Sequence, residues 1–298
     1  MLMETPHHSY LIVKANKLIE AAYRLTMAEQ RLLLAVLAQI DSRPTGDSVH
    51  GEDFEVSASQ ITDLYEIPLK QSYELMRDAA ERIAERWVVI QHPDPDIPAL
   101  AYTRTRWISA IDYLPSEGRI RLYLAPKIMP YLTQLAGEFA RYKLKHVSAM
   151  TSIYAVRLYE LLIQWQMQGE REVAVDWLRE RFVVPEQYSR IYDLKRRVVE
   201  PAVEQINAHS NIWVRWSQRK VGRVVVAFQF QFGLKANQPA IPAPGGQSEQ
   251  RALTRSEIER AARPGETWDD VRARLMRERD KSEKPLRSSR SQDDSGGA

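Results

Sequence analysis

The chain has 298 residues, of which 44% are hydrophobic and 27% charged, with a net charge of +3; that composition fits a packed globular protein of about two domains. It has no cysteine, which excludes a disulfide framework and a thiolate metal site. Its longest apolar run, from Leu32 to Ala38, falls far short of the ~20 residues of a membrane span, and Met1-Leu2-Met3-Glu4 lacks the basic start and apolar core of a secretory signal, so the expectation is a cytoplasmic protein.

Charge is sorted along the chain. Residues 1–134 carry a net −4, residues 135–140 a net −1, residues 141–235 a net +7 and residues 236–298 a net +1. A basic block of that kind attracts a polyanion and speeds its association, which points to DNA. The competing reading is an ordinary solvated surface.

In the first half, Asn16 is placed to cap a short helix through Tyr23. Thr26 followed by Glu29 is a capping box opening a longer helix, with Leu32, Val36 and Ile40 on one face. A Pro/Gly/Asp-rich stretch from Asp41 to Asp53 ends it. Ser57 starts a short helix holding Ile61 and Leu64. Pro68 suits the first turn of the next helix, which carries Leu69, Tyr73, Met76, Ala80, Ile83 and Trp87 as an amphipathic stripe. β-rich runs follow at Trp87 to Gln91, Arg104 to Tyr113 and Arg119 to Leu124, the last after a turn at Pro115-Ser116-Glu117-Gly118.

The second half repeats this order. Ser152 to Gln168 is a long helix with Ile153, Val156, Leu161 and Trp165 on its apolar side. Val175 to Phe182 is a short helix, and Ser189 to His209 a second long one. Ile212 to Trp216 is a strand. The turn Lys220-Val221-Gly222-Arg223 leads into a last strand, where Val224, Val226, Phe228, Phe230 and Phe232 alternate as on a half-buried strand. Helix, short helix, long helix and β-hairpin is the order of a winged helix, and it occurs twice. The fold class is therefore α+β, two tandem winged-helix domains at residues 1–140 and 141–235. Pro239, Pro242, Pro244, Gly245 and Gly246 open a linker and a largely disordered tail over residues 236–298, in which Thr254 to Ala262 and Thr267 to Lys281 are the only helical candidates.

No Gly-x-x-x-x-Gly-Lys-Ser/Thr loop is present, so a P-loop nucleotide site is excluded. The histidines lie scattered at 7, 8, 50, 92, 146 and 209. None forms the one-residue-separated pair that a metal-dependent tyrosine nickase would want. No catalytic residue, metal or cofactor is implied.

The DNA-reading candidates sit between Ser189 and His209. A helical wheel puts Ile191, Leu194, Val198, Val199, Ala202 and Ile206 on one side. Arg190, Asp193, Arg196, Arg197, Glu200 and Glu204 fall on the other, basic in its first two turns and acidic afterwards. A recognition helix enters the major groove N-terminus first, and an arginine there can grip guanine O6 and N7 with two bonds. The bland alternative is an exposed face with i,i+4 pairs such as Arg196 with Glu200. Lys195 falls on the apolar side and must snorkel. Pro201 is interior and should kink the helix, freeing its arginine-bearing half to tilt into a groove. The hairpin adds Arg215, Arg219, Lys220 and Arg223 for phosphate or minor-groove contact. The first-half counterparts are Arg104, Arg106, Arg119 and Arg121. Lys70 and Arg77 lie on a helix face of mixed sign, a weaker DNA candidate and a better protein-contact one.

Three stretches resemble, in the right order, the iteron-binding plasmid replication initiators. They are Val13-Lys14-Ala15-Asn16-Lys17-Leu18-Ile19-Glu20-Ala21 with Leu25-Thr26-Met27-Ala28-Glu29-Gln30-Arg31; Arg157-Leu158-Tyr159-Glu160-Leu161-Leu162; and Asp193-Leu194-Lys195-Arg196-Arg197-Val198-Val199-Glu200-Pro201-Ala202 with Ile206-Asn207. The likeness runs from about Lys14 to Phe232. It implies a non-enzymatic monomer that binds direct repeats in double-stranded origin DNA. It also implies a homodimer, formed through the first domain, that represses the protein's own promoter, with the host replication initiator and the replicative helicase as partners. Pro201 is shared with the family. Ala140 stands where the family often has threonine, which puts in doubt a hydroxyl hydrogen bond at the domain junction. Two other functions stay open: a dimeric winged-helix transcription regulator, and a metal-dependent rolling-circle nicking enzyme.

Overall fold

The computed structural model describes residues 10–40, 53–94, 96–133 and 138–237. The stretch expected as a loop after Ile40 and the proposed tail helices lie outside these residues, apart from Asp53. The first element is strand β1 (Leu11–Ala15), which no pattern had announced; it pairs antiparallel with β7 (Phe139–Lys143). Helix α1 (Asn16–Ile19) follows. It stops well before the expected Tyr23, because Ala22 bridges Val89 and the chain turns extended. Helix α2 (Met27–Leu37) has the capping box as read, with Thr26 Oγ1 accepting from Glu29 N–H and Glu29 Oε2 accepting from Thr26 N–H. Every residue from Leu32 to Leu37 is buried, so α2 is a core helix rather than an amphipathic one.

Strand β2 (Asp53–Ser57), helix α3 (Ala58–Tyr65) and helix α4 (Leu69–Ala84) come next. Ser57 caps α3 with a second capping box, closed by Gln60. Pro68 sits one position before α4, as its N-cap. The stripe on α4 is buried at Met76, Ala80 and Ile83, but its ends Leu69 and Trp87 are exposed. After strand β3 (Trp87–Gln91), the run read as one strand is two: β4 (Tyr102–Arg106) and β5 (Ile108–Leu114). The break is Trp107, fully buried and packed edge-on against Tyr23, which holds the chain as it leaves one sheet for the next. Strand β4 pairs with β3, and β5 pairs with β6 (Arg119–Leu124) across a turn at Gly118, whose φ of 62° suits glycine.

Helix α5 (Pro130–Thr133) and β7 lead to α6 (Ile153–Ile163), shorter than expected and leaving Trp165 beyond its end, 41% exposed. Strand β8 (Glu170–Ala174), also unannounced, precedes α7 (Val175–Arg181). The second long helix is α8 (Ile191–Leu194), a π-helical segment at Lys195–Val199, and α9 (Glu200–His209). The last hairpin is β9 (Ile212–Val221) and β10 (Val224–Leu234); β9 runs five residues past the expected Trp216. The alternating stripe is buried at Phe228, Phe230 and Phe232. A register shift between Val225 and Ala227 breaks it, and Val224 is exposed near the tip.

The duplication is explicit in the sheets. The order β2-β6-β5 in the first repeats as β8-β10-β9 in the second, each with two helices between its first and second strands. These are two winged helices, and the β3–β4 pair is an insertion in the first. A single hydrophobic cluster runs through both. They are also fastened by polar contacts from α6. Lys14 Nζ donates to Glu160 Oε1 at 2.6 Å with both side chains fully buried, and the Tyr142 hydroxyl donates to the same oxygen. Arg157 donates to the carbonyls of Tyr23 (2.7 Å), Ala21 (2.8 Å) and Ile19 (3.3 Å) and lies over the Tyr23 ring. It thereby satisfies carbonyls that the early end of α1 leaves open. Ala140 is buried opposite Lys14 in the β1–β7 ladder. No helix among the described residues is long and apolar enough to cross a membrane.

Candidate nucleic-acid interface

The segment from Arg190 to Glu204 has the two faces that the wheel predicts, but a π turn produces them. Glu200 N–H bonds to Lys195 O, five residues back. This wider turn takes in the residues ahead of Pro201, which has no N–H to give, so the helix passes the proline without breaking. It also turns Val198 and Val199 together into the core and leaves Arg196 and Arg197 together on the outside. Arg179 fixes the N-terminal half from behind: its guanidinium donates to the carbonyls of Tyr188 (3.1 Å) and Ser189 (2.6 Å), immediately before α8.

The candidates differ in what they already hold. Arg190, Arg197, Lys220 and Arg223 are exposed and make no side-chain hydrogen bond or ion pair among the described residues. Lys70 is likewise exposed on α4. Arg196 Nη1 donates to Tyr192 Oη at 2.8 Å, and the Arg196–Glu200 pair weighed above is absent among the described residues. Lys195 is half-buried and donates to Gln218 on β9 at 3.3 Å, so it ties the helix to the hairpin as much as it snorkels. Arg219 grips Glu172 across the sheet, with Nη2 to Oε1 at 2.8 Å. The Arg219 hydrogen bond first, then that from Gln229, holds the Glu172 carboxyl below its ordinary range. Arg215 lies over Trp213.

In the first winged helix, Arg77 is paired with Asp78 at 3.0 Å. Arg104 and Arg106 both stack on Trp87, with guanidinium carbons 4.1 and 3.8 Å from the ring centre. Arg119 and Arg121 are engaged with Glu55 at 2.8 and 2.6 Å. Three of these cations are paired with carboxylates and two are laid on an indole ring, whereas the second winged helix presents unmatched charge along one helix and at one hairpin tip. At that tip Gly222 takes φ 61°, and Val221 and Val224 flank it as a cross-strand pair.

Sequence reasoning overlooked two residues here. Tyr192 is 59% exposed on the first turn of the helix; its place on the outward face is legible from the wheel, but charge alone does not single it out. Val183 stands at φ 46°, closing α7 with the two bonds Val183 N–H to Glu180 O and Val184 N–H to Arg179 O. Glycine usually marks that position, and its absence hid the turn.

Two winged helices in tandem, one with an unspent cationic helix, define a DNA-binding protein class. The family model described as Initiator Replication protein, WH1, matches residues 11–163, and that described as Initiator Rep protein, WH2, matches residues 174–232. The chain belongs to this family of replication initiators. Among relatives, a "Replication initiation protein" from Escherichia coli is 25% identical over 209 residues, covering 68% of this chain and 63% of that protein. An "Uncharacterized 27.6 kDa protein" from Escherichia coli is 23% identical over 218 residues, covering 69% and 88%. The crystal structure of Pi initiator protein in complex with iteron DNA superposes with a TM-score of 0.63 at 22% identity, covering 76% of this chain and 97% of that one. That likeness is one of fold.

Proposed function

We propose that this initiator acts by binding direct repeats in a plasmid origin, with the helix from Arg190 to Glu204 reading the major groove and the β9–β10 tip holding the backbone. The observation that carries the reading is the unmatched charge: Arg190 and Arg197 on the outward helix face, Lys220 and Arg223 at the tip. An arginine in the first turns of a recognition helix reads guanine, and a cation at a hairpin tip neutralises phosphate. The binding of iteron DNA by the Pi initiator supports the same role for the shared fold.

In this proposal residues 141–235 do the main reading. Residues 1–140 add an auxiliary contact through Lys70, Arg77, Arg104 and Arg106 and form a homodimer that represses the protein's own promoter. The protein works in the cytoplasm, recruits the host initiator and the replicative helicase, and performs no chemistry of its own. Nuclease footprinting of the DNA beside the coding sequence tests it. Protection of successive direct repeats is the expected result. A single protected inverted repeat would favour a transcription regulator instead, and metal-dependent cleavage of supercoiled plasmid would favour the nicking enzyme.

A further inference from the structure

We propose that Tyr192 is a specificity-determining positioning residue, holding the Arg196 guanidinium so that its Nε–Nη2 edge faces one guanine. The inference rests on the reading helix assigned above. Tyr192 and Arg196 lie one helical turn apart, on the outward side of the first two turns. The phenol oxygen accepts from Arg196 Nη1 at 2.8 Å, and the guanidinium carbon stands 6.0 Å from the ring centre. Tyr192 is 59% exposed, so its ring contributes little to the core and its hydroxyl is turned to Arg196.

The contact acts on Arg196. A guanidinium on a free stem samples many rotamers, and ordering it on contact with a base opposes binding. A hydrogen bond from Nη1 fixes the end of the stem before DNA arrives. It consumes one proton of Nη1 and leaves Nε–H and Nη2–H parallel, the spacing that guanine O6 and N7 accept. Arg196 makes no other side-chain hydrogen bond or ion pair among the described residues. Its neighbour Arg197 has no comparable anchor. The two arginines are therefore unequal: Arg196 is preorganised for a base, and Arg197 is left mobile for phosphate or a base.

The test uses the full chain and a duplex site that the wild-type chain selects from a randomised library, with each base pair then changed in turn. Tyr192→Phe keeps the ring and removes the acceptor. It should melt as wild type and keep its affinity for random duplex and its salt slope. It should lose roughly three- to tenfold of its discrimination at one G·C pair, the worth of one hydrogen bond. In an Arg196→Ala background the same change should have no further effect. Discrimination unchanged in Tyr192→Phe, or a loss of equal size when Arg196 is already absent, would overturn the role of Tyr192 and leave the reading helix standing. A wild-type chain that selects no site, or an Arg196→Ala chain with full discrimination, would remove the reading helix itself and the proposal with it.

Discussion

Residues of one type in the second winged helix do unequal work, and the distinction lies in what each already touches. Arg219 and Lys220 are adjacent, yet Arg219 is bound to Glu172 whereas Lys220 holds nothing among the described residues. Lys220→Ala should therefore weaken binding to all duplexes alike and make the salt slope shallower by about one, while Arg219→Ala should change the slope much less; binding titrations at several salt concentrations separate the two. Arg197→Ala should cost about 1–3 kcal/mol of specific binding, seen as one blurred position in a site selection. Sequence patterning made these cations visible but not their partners. Glu172 lies 47 positions from Arg219, on a strand that no alternation had marked. Lys195 reaches Gln218 across 23 positions for the same reason. Periodicity reports which way a side chain leaves its own element, and only the register between elements reports what it meets.

Whole elements were legible where local physics decides them and illegible where neighbours decide. The capping box at Thr26, the helix start at Ser57, the buried middle of the α4 stripe at Met76, Ala80 and Ile83, and the Phe228–Phe230–Phe232 alternation are set by nearby residues, and the structure has them. The short strands β1, β2, β7 and β8 exist because a distant strand pairs with them, and nothing local announces them. The split of β4 from β5 at Trp107 is likewise tertiary. Resemblance located Arg157 and Glu160 but said nothing of their work, which is to fasten α6 to β1 and to the end of α1. Two element-level outcomes follow. Val183→Gly should raise stability by about 1 kcal/mol, because it relieves a β-branched residue from a left-handed conformation; thermal melting checks it, and Val183→Ala should gain far less. At the junction, His146 faces the Tyr159 hydroxyl at 3.2 Å. Burial first, then Lys145, Lys143 and Lys235, pushes it down to about 4. The unfolded chain takes up this proton near the ordinary histidine value of ~6.5, so stability should be full above that pH, fall as pH drops toward about 4, and level off below. His146→Gln should flatten that part of the melting profile.

At the scale of the whole molecule, the duplicated fold carries two different electrostatic treatments. The first winged helix turns Arg119 and Arg121 onto Glu55 and Arg77 onto Asp78, spending these three cations internally. The second leaves Arg190, Arg197, Lys220 and Arg223 for something outside. Net charge by segment foretold this division, although it could not say which cations were unspent. The most direct measurement is the equilibrium affinity of the full chain for its origin fragment and for random duplex, followed from 50 to 200 mM salt. Two or more neutralised phosphates predict a fall of about tenfold or more over that range, tighter binding to the origin fragment at every salt concentration, and loss of that preference when Arg190, Arg196 and Arg197 are replaced together. An affinity that ignores salt, or equal affinity for the two duplexes, would contradict the account.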